Sequence, residues 1–225
     1  MDTIISFFNQ IGSLICHQLP SRTIYLEGLP LPVCARDTGI YLGIFTGTVF
    51  IMFMKRFDSD KPPGVFISVL LCILMLPMVI DGIGSYTGLI ETNNNIRLVT
   101  GAFFGLPIPF FLLPAAHFKI AAANKRSSLK SPVELITVIA ATALMCGLVL
   151  KSRMLPYLLV STIIVMSFIF LTGRISFTII VRLSPATYRY RYLTTAGITL
   201  CVLSVLYVIS AYILQPLKEL LLRQG

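Results

Sequence analysis

Polar residues are spread unevenly along this largely apolar chain, and two clusters of them contain side chains capable of chemistry. The first comprises Cys16, His17, Gln18, Arg22, Glu27, Cys34, Arg36 and Asp37, just before the first long apolar segment. The second comprises Asp81, Glu91, Asn93, Asn94, Asn95 and Arg97, between the second and third apolar segments. Ionisable residues at a membrane boundary are candidates for a functional site. We therefore expect the two clusters to converge into one site.

Part of this set could bind a metal ion. Cys16, His17, Cys34 and a carboxylate of Asp37 or Asp81 offer the sulfur, nitrogen and oxygen donors that suit tetrahedral zinc. Their spacing matches no known zinc module, and adjacent Cys16 and His17 cannot both bind one ion without a sharp bend. A disulfide between Cys16 and Cys34 competes with the metal, because the extracytoplasmic side of a membrane is often oxidising. We predict that these cysteines are close, with a bridge favoured over zinc by a narrow margin.

The same clusters also predict a site for an anionic ligand. The residues proposed to bind phosphate are Arg22, Arg36, Asn94 and Arg97, since guanidinium groups bind phosphate with two parallel hydrogen bonds. His17 as acid or base, with Asp37 or Asp81 to orient it, would add catalysis on a phosphorylated headgroup. The alternative is structural: the arginines pair with Asp37, Asp81 and Glu91 and hold helix ends together.

Membrane-spanning helices must position these residues. The chain is 56% hydrophobic and 12% charged, with a mean hydropathy of +0.88, whereas soluble domains contain about 25% charged residues. A water-soluble globule is thereby excluded. Six segments are long and apolar enough to span as helices: Thr38–Met54, Gly64–Ile80, Leu98–Ala116, Val133–Leu150, Met154–Gly173 and Leu193–Gln215. The sequence predicts an all-α, polytopic integral membrane protein.

We expect a single membrane domain over 1–225. Its six-helix bundle covers 38–215, after an extracytoplasmic or interfacial segment, 1–37, and before an amphipathic tail, 216–225. Residues 3–15 are too short to span and predict an interfacial or re-entrant helix. The acidic Asp2 and the lack of a basic leader argue against a cleaved signal peptide.

The basic residues predict the orientation. The connections after the first, third and fifth spans hold 11 of the 18 basic residues, namely Lys55, Arg56, Lys61, Lys119, Lys125, Arg126, Lys130, Arg174, Arg182, Arg189 and Arg191. The positive-inside rule places these connections in the cytoplasm, next to anionic lipid, and both termini outside. The alternating Arg and Tyr of residues 182–193 indicate a lipid anchor rather than a nucleic-acid site. We therefore predict a multi-pass protein of the cell membrane.

Small residues predict where the spans pack. Glycines recur every four residues on the first and third spans, at Gly39, Gly43, Gly47, Gly101 and Gly105. This spacing lets helix backbones approach closely in lipid. The third span also carries Pro107, Pro109 and Pro114, so we expect it to be kinked or broken and to line a cavity.

The polar clusters resemble the signature of a family of uncharacterised polytopic membrane proteins from bacteria and archaea. Residues 16–43, CHQLPSRTIYLEGLPLPVCARDTGIYLG, are similar to its Cys-His-Gln-x-Pro-x-Arg-Ser and Pro-Val-Cys-x-Arg-Cys-Thr-Gly-Ile-Tyr-x-Gly blocks. Asp81-Gly82 and the spacing of Asn94, Arg97, Gly101 and Gly105 resemble its second block. Thr23 replaces the usual serine, and Asp37 stands where many members have a cysteine. The resemblance implies a membrane fold and no particular reaction.

Two functional classes remain open. The first is a membrane-embedded enzyme or binding protein for a lipid or phosphorylated ligand. The second is a transporter or channel for a small solute or ion. Asp37, Asp81 and Arg97 lie at the ends of spans rather than at the midplane, where carriers usually place their sites. This position slightly favours the first class.

Overall fold

The computed structural model describes residues 2–120, 123–151, 155–183, 190–214 and 216. Its helices are α1 (Asp2–Ser13), α2 (Ala35–Phe53), α3 (Val65–Tyr86), α4 (Asn94–Gly105), α5 (Pro107–His117), α6 (Pro132–Leu150), α7 (Tyr157–Leu183) and α8 (Arg191–Ile209). The strands β1 (Thr23–Leu26) and β2 (Leu29–Cys34) form one antiparallel hairpin. The predicted all-α membrane fold is confirmed, and the hairpin is a small addition that the sequence analysis missed.

Among the described residues, five helical segments are long and apolar enough to cross a membrane. They are Val65–Ser85, Asn94–His117, Pro132–Leu150, Tyr157–Leu183 and Arg191–Ile213. The chain is therefore a multi-pass membrane protein, with one fewer such segment than predicted. The remaining predicted span lies within α2, which is less apolar because its first turn contains Arg36 and Asp37.

Helix α2 lies at the centre of the fold, in contact with α4, α5, α6 and α7. A Cβ atom at Gly39 would lie 2.1 Å from the carbonyl oxygen of Leu98, and one at Gly43 would lie 2.1 Å from that of Ala102. The other glycines of the two stripes, Gly47, Gly101 and Gly105, also meet backbone atoms of the neighbouring helix. Because these contacts advance together along both helices, α2 and α4 run parallel and begin on the same side of the fold.

The third predicted span is interrupted, as expected from its prolines. Helix α4 ends at Gly105 and α5 begins at Pro107, which has no N–H to continue the hydrogen-bond ladder. Pro114 leaves the carbonyl of Phe110 without its usual helical donor. The hydroxyl of Ser128 donates to that carbonyl instead, at 2.7 Å, which ties the following loop to α5.

Helix α7 continues ten residues beyond the predicted end of its span, at Gly173, and includes residues 175–181. The assignment of Arg174 and Arg182 to the loop after this span is therefore wrong, because both lie within α7. The side chain of Arg174 is buried, its guanidinium donates to the carbonyl of Leu113 at 3.2 Å, and it lies over two phenylalanine rings. Residues 184–189 of the Arg–Tyr run and residues 217–225 of the predicted tail lie outside the described residues.

The loop after α2 is linked to the first turn of α6. This link lies at the side of the fold opposite the start of α2. The guanidinium of Arg56 donates to both carboxylate oxygens of Glu134, each at 2.8 Å. This hydrogen bonding raises the pKa of Arg56. The loops that flank α3 and α6 are also joined by a backbone bridge between Lys61 and Ser127. Two of the three connections predicted to be cytoplasmic therefore meet on one side.

Candidate functional site

The hairpin returns the chain to the start of α2. Leu26 lies opposite Leu29, and the two turn residues between them, Glu27 and Gly28, have φ values of 54° and 79°. A two-residue hairpin turn of type I′ requires positive φ at both positions, which glycine adopts readily. Glu27 is held there because its carboxylate accepts a hydrogen bond from the backbone N–H of Tyr157 at 3.0 Å. The strand β2 then ends at Cys34, directly before α2.

Gln18 fixes the segment that contains Cys16. Its side-chain amide donates to the carbonyl of Asn9 in α1 at 2.8 Å and to that of Pro32 in β2 at 2.9 Å. The backbone of Gln18 has a φ of 51°, so the chain turns sharply at this residue. This turn places Cys16 beside Cys34, whose backbone N–H donates to the Cys16 sulfur at 3.2 Å.

Two thiols and a carboxylate form a compact cluster at this point. The donor atoms of Cys16, Cys34 and Asp37 all lie within 4.8 Å of one another, and the Cys34 thiol donates to Asp37 Oδ2 at 3.2 Å. The pKa of Cys34 is raised by its hydrogen bond with Cys16, by burial and by the negative charge of Asp37. Both cysteines are free thiols in the structure, and the disulfide stays a prediction. His17 is outside this cluster.

The cluster forms one wall of a cavity of about 230 Å³. The cavity is lined by Ile15, Cys16, His17, Gln18, Leu19, Arg22, Cys34, Arg36, Asp37 and Arg97. Four chain segments contribute to it: the connection between α1 and β1, the end of β2, the start of α2, and the first turn of α4. Its wall thus contains three guanidinium groups, one imidazole and one carboxylate, together with the two thiols.

Arg36 and Asp81 form a buried ion pair beside this cavity. The Nε and Nη2 atoms of Arg36 donate to Asp81 Oδ2 at 3.0 Å and 2.5 Å, and Asp81 is only 4% exposed. The hydroxyl of Thr100 in α4 reaches the same oxygen at 3.5 Å. Asp81 is not among the residues that line the cavity, whereas His17 and Asp37 are. The pair links α2 to α3. This contact is the one expected from the structural alternative, in which arginines and acidic residues hold helix ends together.

Arg97 differs from Arg36 in its partners. It donates to the side-chain oxygens of Asn94 at 3.2 Å and Ser85 at 3.5 Å, both of which are neutral. Its Nε atom is buried without a hydrogen-bond partner. Within the described part of the chain, no carboxylate lies within 4.0 Å of its guanidinium. Arg97 therefore brings to the cavity a positive charge that has no salt bridge within the described residues.

Asn94 supports the site from outside the cavity wall. Its side-chain amide donates to the carbonyls of Ser21 and Thr23, at 3.4 Å and 3.2 Å, and its oxygen accepts from Arg97. It thereby connects the first turn of α4 to the start of the hairpin. Asn94 therefore positions the Arg97 side chain and does not itself line the cavity. Arg22, in contrast, lines the cavity directly.

Comparison with known sequences places this site in the part of the chain that other proteins share. The family of predicted membrane proteins DUF2085 matches residues 16–111, which include every cavity-lining residue except Ile15. The chain is 39% identical over 104 residues to an uncharacterised protein of Methanocaldococcus jannaschii, covering 46% of this chain and 65% of that protein. It is 38% identical over 92 residues to an uncharacterised protein of Methanothermobacter thermautotrophicus, covering 41% of this chain and 78% of that protein. No solved structure matches.

Proposed function

Since this chain belongs to the DUF2085 family of predicted membrane proteins, we propose that it is a membrane protein that binds a phosphate-bearing ligand in the cavity beside Arg97. The unpaired charge of Arg97 carries this proposal. A cation withdrawn even partly from water is costly without a counter-ion, and the partly buried Arg97 donates only to neutral oxygens. Arg36 is already paired with Asp81. A phosphate would supply the charge that Arg97 lacks and the acceptors that guanidinium groups prefer.

The size and position of the cavity suit a phosphate group or a small headgroup. Its volume of about 230 Å³ is below the roughly 300–1,000 Å³ of pockets that enclose drug-sized ligands. The cavity lies at the starts of α2 and α4 rather than along their middle. If both helices span the membrane, this position is close to the level of the phospholipid headgroups. Binding or headgroup chemistry is therefore favoured over transport, for which sites usually lie near the midplane.

An enzymatic version of this function would use residues of the cavity wall. His17 and Asp37 both line the cavity and could transfer a proton to or from a bound ligand. Asp81 is unsuited to that role because it is buried in the ion pair with Arg36. The catalytic set proposed from the sequence thus reduces to His17 and Asp37.

We place the cavity on the extracytoplasmic side of the cell membrane. The support is the excess of basic residues in the loops at the opposite side, which remains after Arg174 and Arg182 are both removed from the count. We also count α2 as a sixth span, because it lies alongside α4 from the cavity towards the other side. The exposed basic residues of the opposite loops, such as Lys125 and Lys130, would then contact anionic lipid of the inner leaflet.

Phosphate binding to the purified protein tests the proposal. In nanodiscs of neutral lipid, we expect inorganic phosphate to bind and Arg97→Gln to weaken it by about 10- to 100-fold, since a hydrogen bond to a charged group contributes about 1.5–3 kcal/mol. Nanodiscs that contain phosphatidic acid form the second arm. Competition by this lipid would identify a headgroup as the ligand, and free phosphate binding without competition would identify a soluble one.

The matched control is Lys125→Gln, which removes the same charge from an exposed residue in the loop on the opposite side. It should leave phosphate affinity unchanged. Equal affinity in Arg97→Gln and the wild-type protein, or no binding of either phosphate source, would exclude this function for the cavity.

A further inference from the structure

The cluster of Cys16, Cys34 and Asp37 has the donors and the spacing of a metal site. Each residue comes from a different local structure: the turn after α1, the end of β2 and the first turn of α2. Their ligand atoms lie within 4.8 Å of one another. Tetrahedral zinc with Zn–S bonds of about 2.3 Å and Zn–O bonds of about 2.0–2.2 Å holds its ligand atoms roughly 3.5–3.8 Å apart. The cluster therefore needs to contract by no more than about 1.3 Å.

The charges around the cluster also favour a cation at its centre. Two thiolates and a carboxylate cannot face each other at this distance without a proton or a metal ion between them. In the structure, the Cys34 thiol supplies that proton to Asp37 through a 3.2 Å hydrogen bond. A zinc ion would replace the protons, and the resulting site would carry one net negative charge. The positive charge of Arg97 in the same wall would favour this negative charge.

The arrangement also identifies the third ligand. Adjacent Cys16 and His17 cannot both bind one ion without a sharp bend, and the structure leaves His17 outside the cluster while it brings in Asp37. Cys16 is 7% exposed and Asp37 is partly buried, so the donors are sheltered from bulk water. All three residues line the cavity, so a bound ion would have its remaining position open to that space.

We propose that Cys16, Cys34 and Asp37 bind one zinc ion, with its fourth position directed into the cavity. An open fourth position is the arrangement of zinc sites that bind or activate a ligand, whereas structural sites are closed by four protein ligands. The three-residue site stands on its own geometry, and because Asp37 is then a metal ligand, His17 alone is left to transfer a proton in the enzymatic version. The identity of the fourth ligand, an oxygen of the phosphate-bearing molecule, rests on the proposed function.

Metal analysis of the reduced, full-length protein tests the site. We expect one zinc per chain, and we expect added cobalt to give the thiolate-to-cobalt charge-transfer band of a sulfur-ligated ion. Cys16→Ser and Cys34→Ser should abolish this band, and Asp37→Asn should weaken zinc binding at least tenfold. The control Cys72→Ser removes an exposed thiol of α3 and should change neither. Arg97→Gln should retain one zinc while it loses phosphate affinity, so the two proposals can fail separately.

A second measurement uses the wild-type protein, in case the cysteine variants do not fold. Zinc should protect Cys16 and Cys34 from alkylation, as read by mass spectrometry, and leave the labelling of Cys72 and Cys201 unchanged. Two results would overturn the proposal. One is a peptide pair linked by a Cys16–Cys34 disulfide in protein that takes up no zinc after reduction. The other is alkylation of both thiols at the same rate with and without zinc.

Discussion

The contact between α2 and α4 can be tested with a single methyl group at Gly43. A Cβ atom there would lie 2.1 Å from the carbonyl oxygen of Ala102 and 2.7 Å from the backbone nitrogen of Leu106. Both atoms belong to the backbone, so no side-chain rotation can relieve the overlap. To reach a separation of even about 3.0 Å, the helices must move apart by about 0.9 Å. That movement would loosen the packing along the whole α2–α4 interface.

We expect Gly43→Ala to lower the free energy of unfolding by about 2–3 kcal/mol, the upper part of the usual range for overpacking. Gly47→Ala should cost less, because its Cβ would lie 2.9 Å from the carbonyl oxygen of Leu106. Gly147→Ala is the matched control in α6, where a Cβ would meet nothing within 4 Å. It should be neutral or stabilising by about 0.5–1 kcal/mol, since glycine weakens a helix interior.

The assay is reversible unfolding in mixed micelles, with the three variants measured against the wild-type protein under identical lipid conditions. The expected order of destabilisation is Gly43→Ala, then Gly47→Ala, then Gly147→Ala. If Gly43→Ala were as stable as Gly147→Ala, the backbones of α2 and α4 would not be in contact, and the reasoning about their parallel packing would be refuted.

Two further predictions concern the ion pair and the orientation. Asp81→Asn leaves the guanidinium of Arg36 without a charged partner and should lower the free energy of unfolding by about 3–5 kcal/mol in the same assay. Replacing both residues with leucine should recover much of this loss. Equal stability of Asp81→Asn and the wild-type protein would contradict the pairing. In intact cells, an impermeant thiol reagent should label Leu89→Cys above the wild-type background and should label Lys125→Cys only after the inner membrane is permeabilised. Reversed accessibility would place the cavity in the cytoplasm.

Local sequence signals account for most of what could be predicted. The start of α6 follows from Ser131, Pro132 and Glu134, and in the structure the Ser131 hydroxyl accepts a hydrogen bond from the backbone N–H of Glu134 at 3.3 Å. Hydropathy locates the long helices because each is apolar over the roughly 20 residues that are needed to span a membrane. These signals are local, so a single stretch of sequence contains all the information needed.

The hairpin was missed although its turn left a signal. Glu27-Gly28 separates two short apolar runs, and an acidic residue followed by glycine at such a point favours a two-residue turn. Hydropathy does not reveal the strands, because it alone does not distinguish a short buried strand from an apolar connection. The hairpin matters for the site, since β2 delivers Cys34 to the start of α2.

The pairing of charged residues depends on distant parts of the chain and could not be read from either cluster. Arg36 selects Asp81, 45 residues away, over Asp37 on its own helix. Because Asp81 pairs with Arg36, it does not line the cavity. Asp37 instead accepts a hydrogen bond from Cys34. The local sequence also does not reveal the environment of Arg174. Its contact with Leu113 follows from the packing of helices rather than from its neighbours in sequence.

The parallel packing of α2 and α4 explains why the cavity is positive. Parallel neighbours begin on the same side, so the first turns of both helices meet at the cavity, and helix N-termini favour negative charge. Arg97 adds a full charge to the first turn of α4, whereas the charge of Arg36 in α2 is paired with Asp81. Since the glycine contacts set the spacing between the turns, Gly43→Ala should weaken phosphate binding at Arg97 as well as stability. Gly147→Ala should alter neither, which separates a specific effect on the cavity from a general effect of substitution.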